Sequence, residues 1–253
     1  MKTSSISFTI GIGVIFILSC NTQTPTEEKQ TNDTAKKASV TTDAPLREKV
    51  LTAEEQKRLT PDSVLRSLMA GNKRFMNSEL TARDHSAMVR NAASGQYPKA
   101  VILSCLDSRI PVEDVFDKGI GDIFVGRVAG NFVNEDLLGS MEFGCKVSGA
   151  KLILVLGHES CGAIKAAIDN VKLGNITAML SKIQPAVKKS QDFTGQKDSK
   201  NDAFVEYVTK NNVRNTIETI KAKSPILKDM ADKKEIKIVG AYYNLKTGEV
   251  TLL

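Results

Sequence analysis

Short unbroken apolar runs alternate along this chain with longer segments whose apolar residues recur every three to four positions. Ala100-Val101-Ile102-Leu103-Ser104 is the first run, and Asp122–Val128, Lys151–Leu156 and Ile236–Tyr243 repeat it. Runs of this length without polar alternation predict strands buried on both faces, as in a parallel sheet. Between them the period changes. Val64, Leu65, Leu68, Met69 and Phe75 predict a helix over Asp62–Met76, with Pro61 at its start. Further helices are predicted over His85–Ala93, Asp136–Val147 (Leu137, Leu138, Met141 and Cys145 on one side), Gly162–Val171, Asn175–Lys189 and Asp202–Lys221. Asn244–Gly248 reads as a turn into a last strand, Glu249–Leu253. Strands alternating with helices predict an α/β fold built on a mostly parallel sheet.

Met1 to Cys20 breaks this pattern. Lys2 is followed by the apolar run Ile10-Gly11-Ile12-Gly13-Val14-Ile15-Phe16-Ile17-Leu18. The run is shorter than the ~20 residues a spanning helix needs, and it reads as an export signal. Its end, Ile17-Leu18-Ser19-Cys20 before Asn21, resembles a bacterial lipobox. That resemblance implies lipidation at Cys20, which would become the first residue of the mature chain; the alternative is a plain secretory signal. Lipid chains contribute ~0.8 kcal/mol per buried CH₂, so several would anchor the protein firmly. Residues 21–45 are rich in threonine, balanced in charge and free of aromatics. Such a stretch buries too little apolar surface to order itself and reads as a flexible linker. The expected organisation is a signal peptide over 1–20, a linker over 21–45 and one catalytic domain over 46–253. The expected location is a bacterial cell envelope, facing the periplasm or in the outer membrane.

Composition narrows the function. Lys and Arg exceed Asp and Glu by 35 to 29, but the basic residues are spread along the chain. Aromatics are 5% and tryptophan is absent, which argues against a base-stacking surface and against a nucleic-acid partner. Four cysteines in 253 residues do not form a disulfide scaffold. Histidine chemistry has two candidates, His85 and His158.

The chemistry gathers at two strand ends. Cys105 directly follows the first predicted strand. His158 follows the third across Gly157, which reads as a turn residue, and Cys161 opens the next helix. Ligands in open parallel sheets collect beyond the carboxyl ends of strands. Cys105, His158 and Cys161 are therefore expected to meet, and two thiolates with one imidazole suit zinc with a fourth position open. The bland alternative for each cysteine is a small core residue, and that is the reading for Cys145, on the apolar side of its helix. His85, in a polar stretch, reads as a surface residue. Asp107 and Arg109, two positions apart after Cys105, form either an oriented ion pair at the site or a structural cap on the following segment.

Cys105-Leu106-Asp107-Ser108-Arg109 and Gly157-His158-Glu159-Ser160-Cys161-Gly162 together resemble the β-class carbonic anhydrases. So do Gly121 to Asn131, Gly139-Ser140-Met141-Glu142-Phe143 and Gly95-Gln96-Tyr97-Pro98-Lys99. The likeness spans roughly residues 60 to 253. It implies a zinc enzyme, one ion per subunit, that reversibly hydrates carbon dioxide to bicarbonate and a proton through attack by zinc-bound hydroxide. It implies Cys105, His158 and Cys161 as zinc ligands and Asp107 with Arg109 as the catalytic pair. In that pair Asp107 either orients the zinc-bound hydroxide or becomes a fourth ligand. It implies substrate contacts from the Gln96 amide across a dimer interface, from Phe124 and Ala129 in a small apolar pocket, and from the Gly162 N–H. The implied fold is a four-stranded parallel sheet extended by one further strand, flanked by helices, with an N-terminal helical arm clasping a partner in a dimer or tetramer. Two rival readings are a non-catalytic descendant with structural zinc and a different small-substrate zinc lyase or hydrolase.

Overall fold

The computed structural model of the protein describes residues 46–253. The predicted export signal, Cys20 and the linker over 21–45 lie outside the described residues.

Three helices lead into the sheet. Helix α1 (Ala53–Lys57) and helix α2 (Pro61–Met76) each start with a capping box, Thr52 with Glu55 and Thr60 with Ser63. Helix α3 (His85–Ala92) is capped by Asp84. Strand β1 (Ala100–Ser104), helix α4 (Val112–Val115), strand β2 (Ile123–Arg127) and helix α5 (Glu135–Glu142) follow, α5 running on into a π-helical turn over Phe143–Val147. After strand β3 (Leu152–His158) come helices α6 (Gly162–Ile168), α7 (Gly174–Leu180), α8 (Gln184–Lys189), α9 (Asp202–Lys223) and α10 (Pro225–Asp232). Strands β4 (Lys237–Tyr243) and β5 (Val250–Leu252) close the chain.

The five strands lie in the order β2-β1-β3-β4-β5. β1 to β4 run parallel, and β5 pairs antiparallel with β4 across a short turn, as the pattern predicts. β1 and β3 are buried along their whole length. Alternation splits their side chains between two cores, Ile102, Leu152, Leu154 and Leu156 on one face and Val101, Leu103, Ile153 and Val155 on the other. β2 is only half-buried, as an edge strand is.

Three expectations need correction. The single helix over Asn175–Lys189 is two helices, α7 and α8, because Pro185 has no N–H to donate and its ring opposes a continuing helix. The helix from Asp136 does not stay α-helical to Val147 but widens to π at Phe143. Gly157 is not a turn residue: β3 runs through it to His158 in register with β4. A Cβ on Gly157 would lie 2.7 Å from Val213 Cγ2 and 3.0 Å from Thr209 Cγ2 of α9. Close packing of helix on strand, rather than a turn, calls for glycine there. Among the described residues no helix is long and apolar enough to cross a membrane.

Candidate metal centre and active site

β1 and β3 are parallel neighbours in register, so their carboxyl ends open on the same edge of the sheet. Cys105 follows β1, His158 ends β3, and Cys161 is the N-cap residue of α6. Ser160 makes the tight turn between the last two with φ of 50°. The two sulfurs, 56 residues apart in sequence, stand 3.9 Å from each other. One ligand atom from each of Cys105, His158 and Cys161 falls within 4.8 Å of the others, and all three residues are buried.

The histidine is prepared as a ligand. His158 Nδ1 lies 2.9 Å from the Glu159 carbonyl. A carbonyl only accepts, so Nδ1 carries the proton and Nε2 keeps its lone pair. Among the described residues Nε2 is buried with no hydrogen-bond partner, an arrangement that costs free energy unless a ligand meets it. Glu159 is itself fixed: its N–H donates to Tyr243 O (2.9 Å), and its carboxylate accepts from Leu245 N–H (3.1 Å) and pairs with Lys246 (3.2 Å).

The two cysteines shift each other in opposite directions. Hydrogen bonding from Cys161 lowers the Cys105 thiol against the effect of burial, helped by the Gly130 N–H at 3.3 Å. The same thiolate, together with burial, pushes Cys161 up. N–H groups of Ala163 and Ile164, in the first turn of α6, work the other way on Cys161 and favour its thiolate. The group therefore offers two sulfurs, with the thiolate favoured at Cys105, and one imidazole lone pair. Two sulfurs, a fixed imidazole and an unpartnered buried Nε2 fit a metal ion.

Beside it stands the predicted ion pair. Asp107 Oδ1 accepts from Arg109 Nε (2.9 Å) and from the Arg109 backbone N–H (3.0 Å), and Oδ2 accepts from an Arg109 terminal nitrogen (2.7 Å). Arg109 is the main reason the carboxyl is pulled down to about 2. Asp107 Oδ2 lies 3.9 Å from His158 Nε2, facing the metal group without belonging to it. The loop that carries the pair is held from outside. Arg127, at the end of β2, donates to the carbonyls of Cys105 (3.2 Å), Asp107 (3.1 Å) and Ile110.

Gly162 begins α6 next to Cys161, with its surface open, and Ala129 precedes the Gly130 whose N–H meets Cys105. Gln96 and Phe124 are not brought to this centre within one chain. Gln96 precedes β1, at the opposite end of that strand from Cys105, and lines a 440 Å³ hollow with Gln56 and Tyr97. Phe124 pairs with Val101, roughly 13 Å of strand before Cys105 at ~3.3 Å per residue. It lines a 710 Å³ groove with Leu137, Met141 and Phe143. His85 is exposed at the start of α3. Cys145 is buried and its thiol is pushed up to about 12 by that burial, an inert core residue as expected. The sequence reading passed over the supports: Glu159, Arg127 and Gly130. Only Arg127 left a signal, a charge at the end of an apolar run.

Residues 100–250 match the family described as carbonic anhydrase. Over 201 residues the chain is 32% identical to carbonic anhydrase 2 of Mycobacterium tuberculosis, covering 76% of this chain and 92% of that protein. Among solved structures, it is similar to the β-carbonic anhydrase CcaA, with a TM-score of 0.60, 21% identity, and 74% of this chain against 94% of that one. A tetrameric β-carbonic anhydrase from Sordaria macrospora gives a TM-score of 0.58 at 21% identity, over 73% of this chain and 90% of that one. The five-stranded, mostly parallel sheet is the fold those β-class structures share with it, and the extent of the sequence match shows that this chain belongs to the carbonic anhydrase family.

Proposed function

We propose that the chain hydrates carbon dioxide reversibly to bicarbonate and a proton, with one zinc ion per subunit held by Cys105 Sγ, His158 Nε2 and Cys161 Sγ. The observation that carries this reading is the buried, unpartnered His158 Nε2 beside two sulfurs and 3.9 Å from an ionised carboxylate. Zinc supplies Lewis-acid chemistry there, making water acidic enough to lose a proton near neutral pH. Asp107 is a carboxylate throughout that range and accepts a hydrogen bond from the reacting hydroxyl, which turns an oxygen lone pair toward the substrate. Arg109 fixes both carboxylate oxygens and keeps Asp107 off the metal position. Arg127 keeps their loop in place through its three carbonyl contacts. The Gly162 N–H, at the open side of α6, donates to a substrate oxygen. Gln96 and Phe124 serve the centre of a second copy, the Gln96 amide binding substrate and Phe124 forming part of an apolar wall. A dimer, alone or paired into a tetramer, is the working unit.

The test is stopped-flow CO₂ hydration by the zinc-loaded full chain between about pH 6.5 and 9, where the acid and base of the reaction would titrate. Turnover well above the uncatalysed rate is expected. Zinc bound at full occupancy without turnover at any pH would leave the structural-zinc reading in its place.

The catalytic domain covers 46–253, tethered through residues 21–45 to a lipid on Cys20 at the cell envelope. The motif around Cys20 supports this reading. Labelled fatty acid incorporated by the chain and lost in Cys20→Ala is the expected result; no labelling of either would leave a plain secretory signal, and equal labelling of both would place the lipid on another residue.

A further inference from the structure

Helix α9 presents a buried stripe at intervals of four residues, Phe204, Val208, Asn212, Thr216 and Ile220. Its third and fourth members are polar. Buried polar side chains are costly unless they are used, and an apolar residue of similar shape is often no worse for stability. Both are used on one corner of the chain. Asn212 Nδ2 donates to Gly130 O (2.8 Å), and Thr216 Oγ1 donates to Asn131 O (3.2 Å). The corner is unusual in backbone as well. Gly130 and Asn131 have φ of 85° and 39°, and Asn131 is fully buried. Left-handed conformations outside glycine cost ~1–2 kcal/mol and persist where the surroundings hold them.

On its other side the corner meets the metal group. The Gly130 N–H donates to Cys105 Sγ at 3.3 Å. One residue along α9, Val213 packs against Gly157, the residue before His158. A single face of this helix thus touches backbone adjoining two of the three metal ligands.

We propose that Asn212, aided by Thr216, is a positioning residue of the metal centre: it fixes the Gly130–Asn131 corner so that the Gly130 N–H points at the Cys105 sulfur. The proposal rests on the reading of Cys105, His158 and Cys161 as the metal ligands. Neither Asn212 nor Thr216 touches metal or substrate. Their effect is on the sulfur's geometry and electron donation, as outer partners of ligands generally act.

The experiment uses the full chain with zinc, for affinity by chelator competition, and with cobalt(II), for the sulfur-to-metal charge-transfer band. Asn212→Leu is expected to weaken zinc binding roughly 10- to 100-fold and to shift the cobalt band. Thr216→Val, which removes one bond and keeps the side-chain volume, is expected to shift both in the same direction by less. Ile220→Ala, on the same stripe but away from the corner, is expected to lower the thermal midpoint and leave both readouts unchanged. Wild-type affinity and band in the folded variants overturn the proposal, and so does an equal shift in Ile220→Ala. Should Asn212→Leu not fold, Thr216→Val decides by the same criterion. A wild-type chain showing no cobalt–thiolate band overturns the metal reading itself, and the proposal with it.

Discussion

The Asp107 carboxylate takes three hydrogen bonds from a single residue, two from the Arg109 guanidinium and one from its backbone. These favour the charged form, so the folded value of about 2 lies below the ordinary 3.8. A depressed carboxyl contributes stability above its unfolded pKa and loses it as pH falls through the folded one. The window is therefore about pH 4 down to 2, far below neutral, and any acid-side fall in activity above it belongs to another group. Asp107→Ala is expected to keep its zinc, since the ligand group does not include it, and to lose CO₂ hydration by on the order of 10²-fold. Metal analysis beside stopped-flow rates checks this; wild-type rates would remove Asp107 from the mechanism. Legibility at this scale followed side-chain identity. Asp107 with Arg109, and His158 with Cys161, are local pairs whose spacing shows in the chain. The Glu159 carbonyl on His158 and the Gly130 N–H on Cys105 are backbone contacts, made by atoms every residue carries, and no residue pattern marks them.

At the scale of elements, the apolar runs located β1 to β4, most directly β1 and β3, which are buried throughout and have no polar face to obscure them. The helices were less legible where they were short. α1 and α4 span five and four residues, too few for a period to stand out. α1 is tied down instead by the buried Gln56 amide, which donates to Pro98 O and Ser148 O, both at 2.7 Å. Gly157 was misread because glycine marks turns and close packing alike. Its real neighbours are Val213 and Thr209 of α9, far on in the sequence. That contact sets a prediction. Gly157→Ala places a methyl 2.7 Å from Val213 Cγ2, which forces α9 away from β3. Overpacking of this kind costs about 1–3 kcal/mol, and here the displaced strand end carries His158. A lowered urea midpoint together with weakened zinc binding is expected. Lost stability with unchanged zinc affinity would show that the end of β3 does not depend on α9.

At the scale of the whole molecule, the proposed function calls on two groups that one chain does not bring to its metal group. Gln96 lies at the far end of β1 from Cys105, and Phe124 faces the groove along β2. Both distances follow from parallel strands, which keep opposite ends apart whatever the loops do. The sequence showed β2 as one more apolar run; that it lies at the sheet edge, half-buried, depends on strand order, which no local pattern encodes. An exposed edge with apolar neighbours is a surface that natural sheets usually cover. Phe143, at the rim of the groove, is 54% exposed, and around Gly139 there is open space. In the proposed dimer a second copy would cover the exposed aromatic, and its metal group would draw on Gln96 and Phe124 of this chain. Gly139→Arg tests that without touching the metal group. A charged side chain in the groove would be buried unpaired on association, at a cost of several kcal/mol per ion, so the variant is expected to elute as a monomer in size-exclusion chromatography. Its zinc content should stay at the wild-type level, since Cys105, His158 and Cys161 all come from one chain. Its CO₂ hydration should fall on the order of 10²-fold, as expected when groups that position substrate are withdrawn. A monomer with wild-type turnover would mean that each chain completes its own site, and that Gln96 and Phe124 take no part in it.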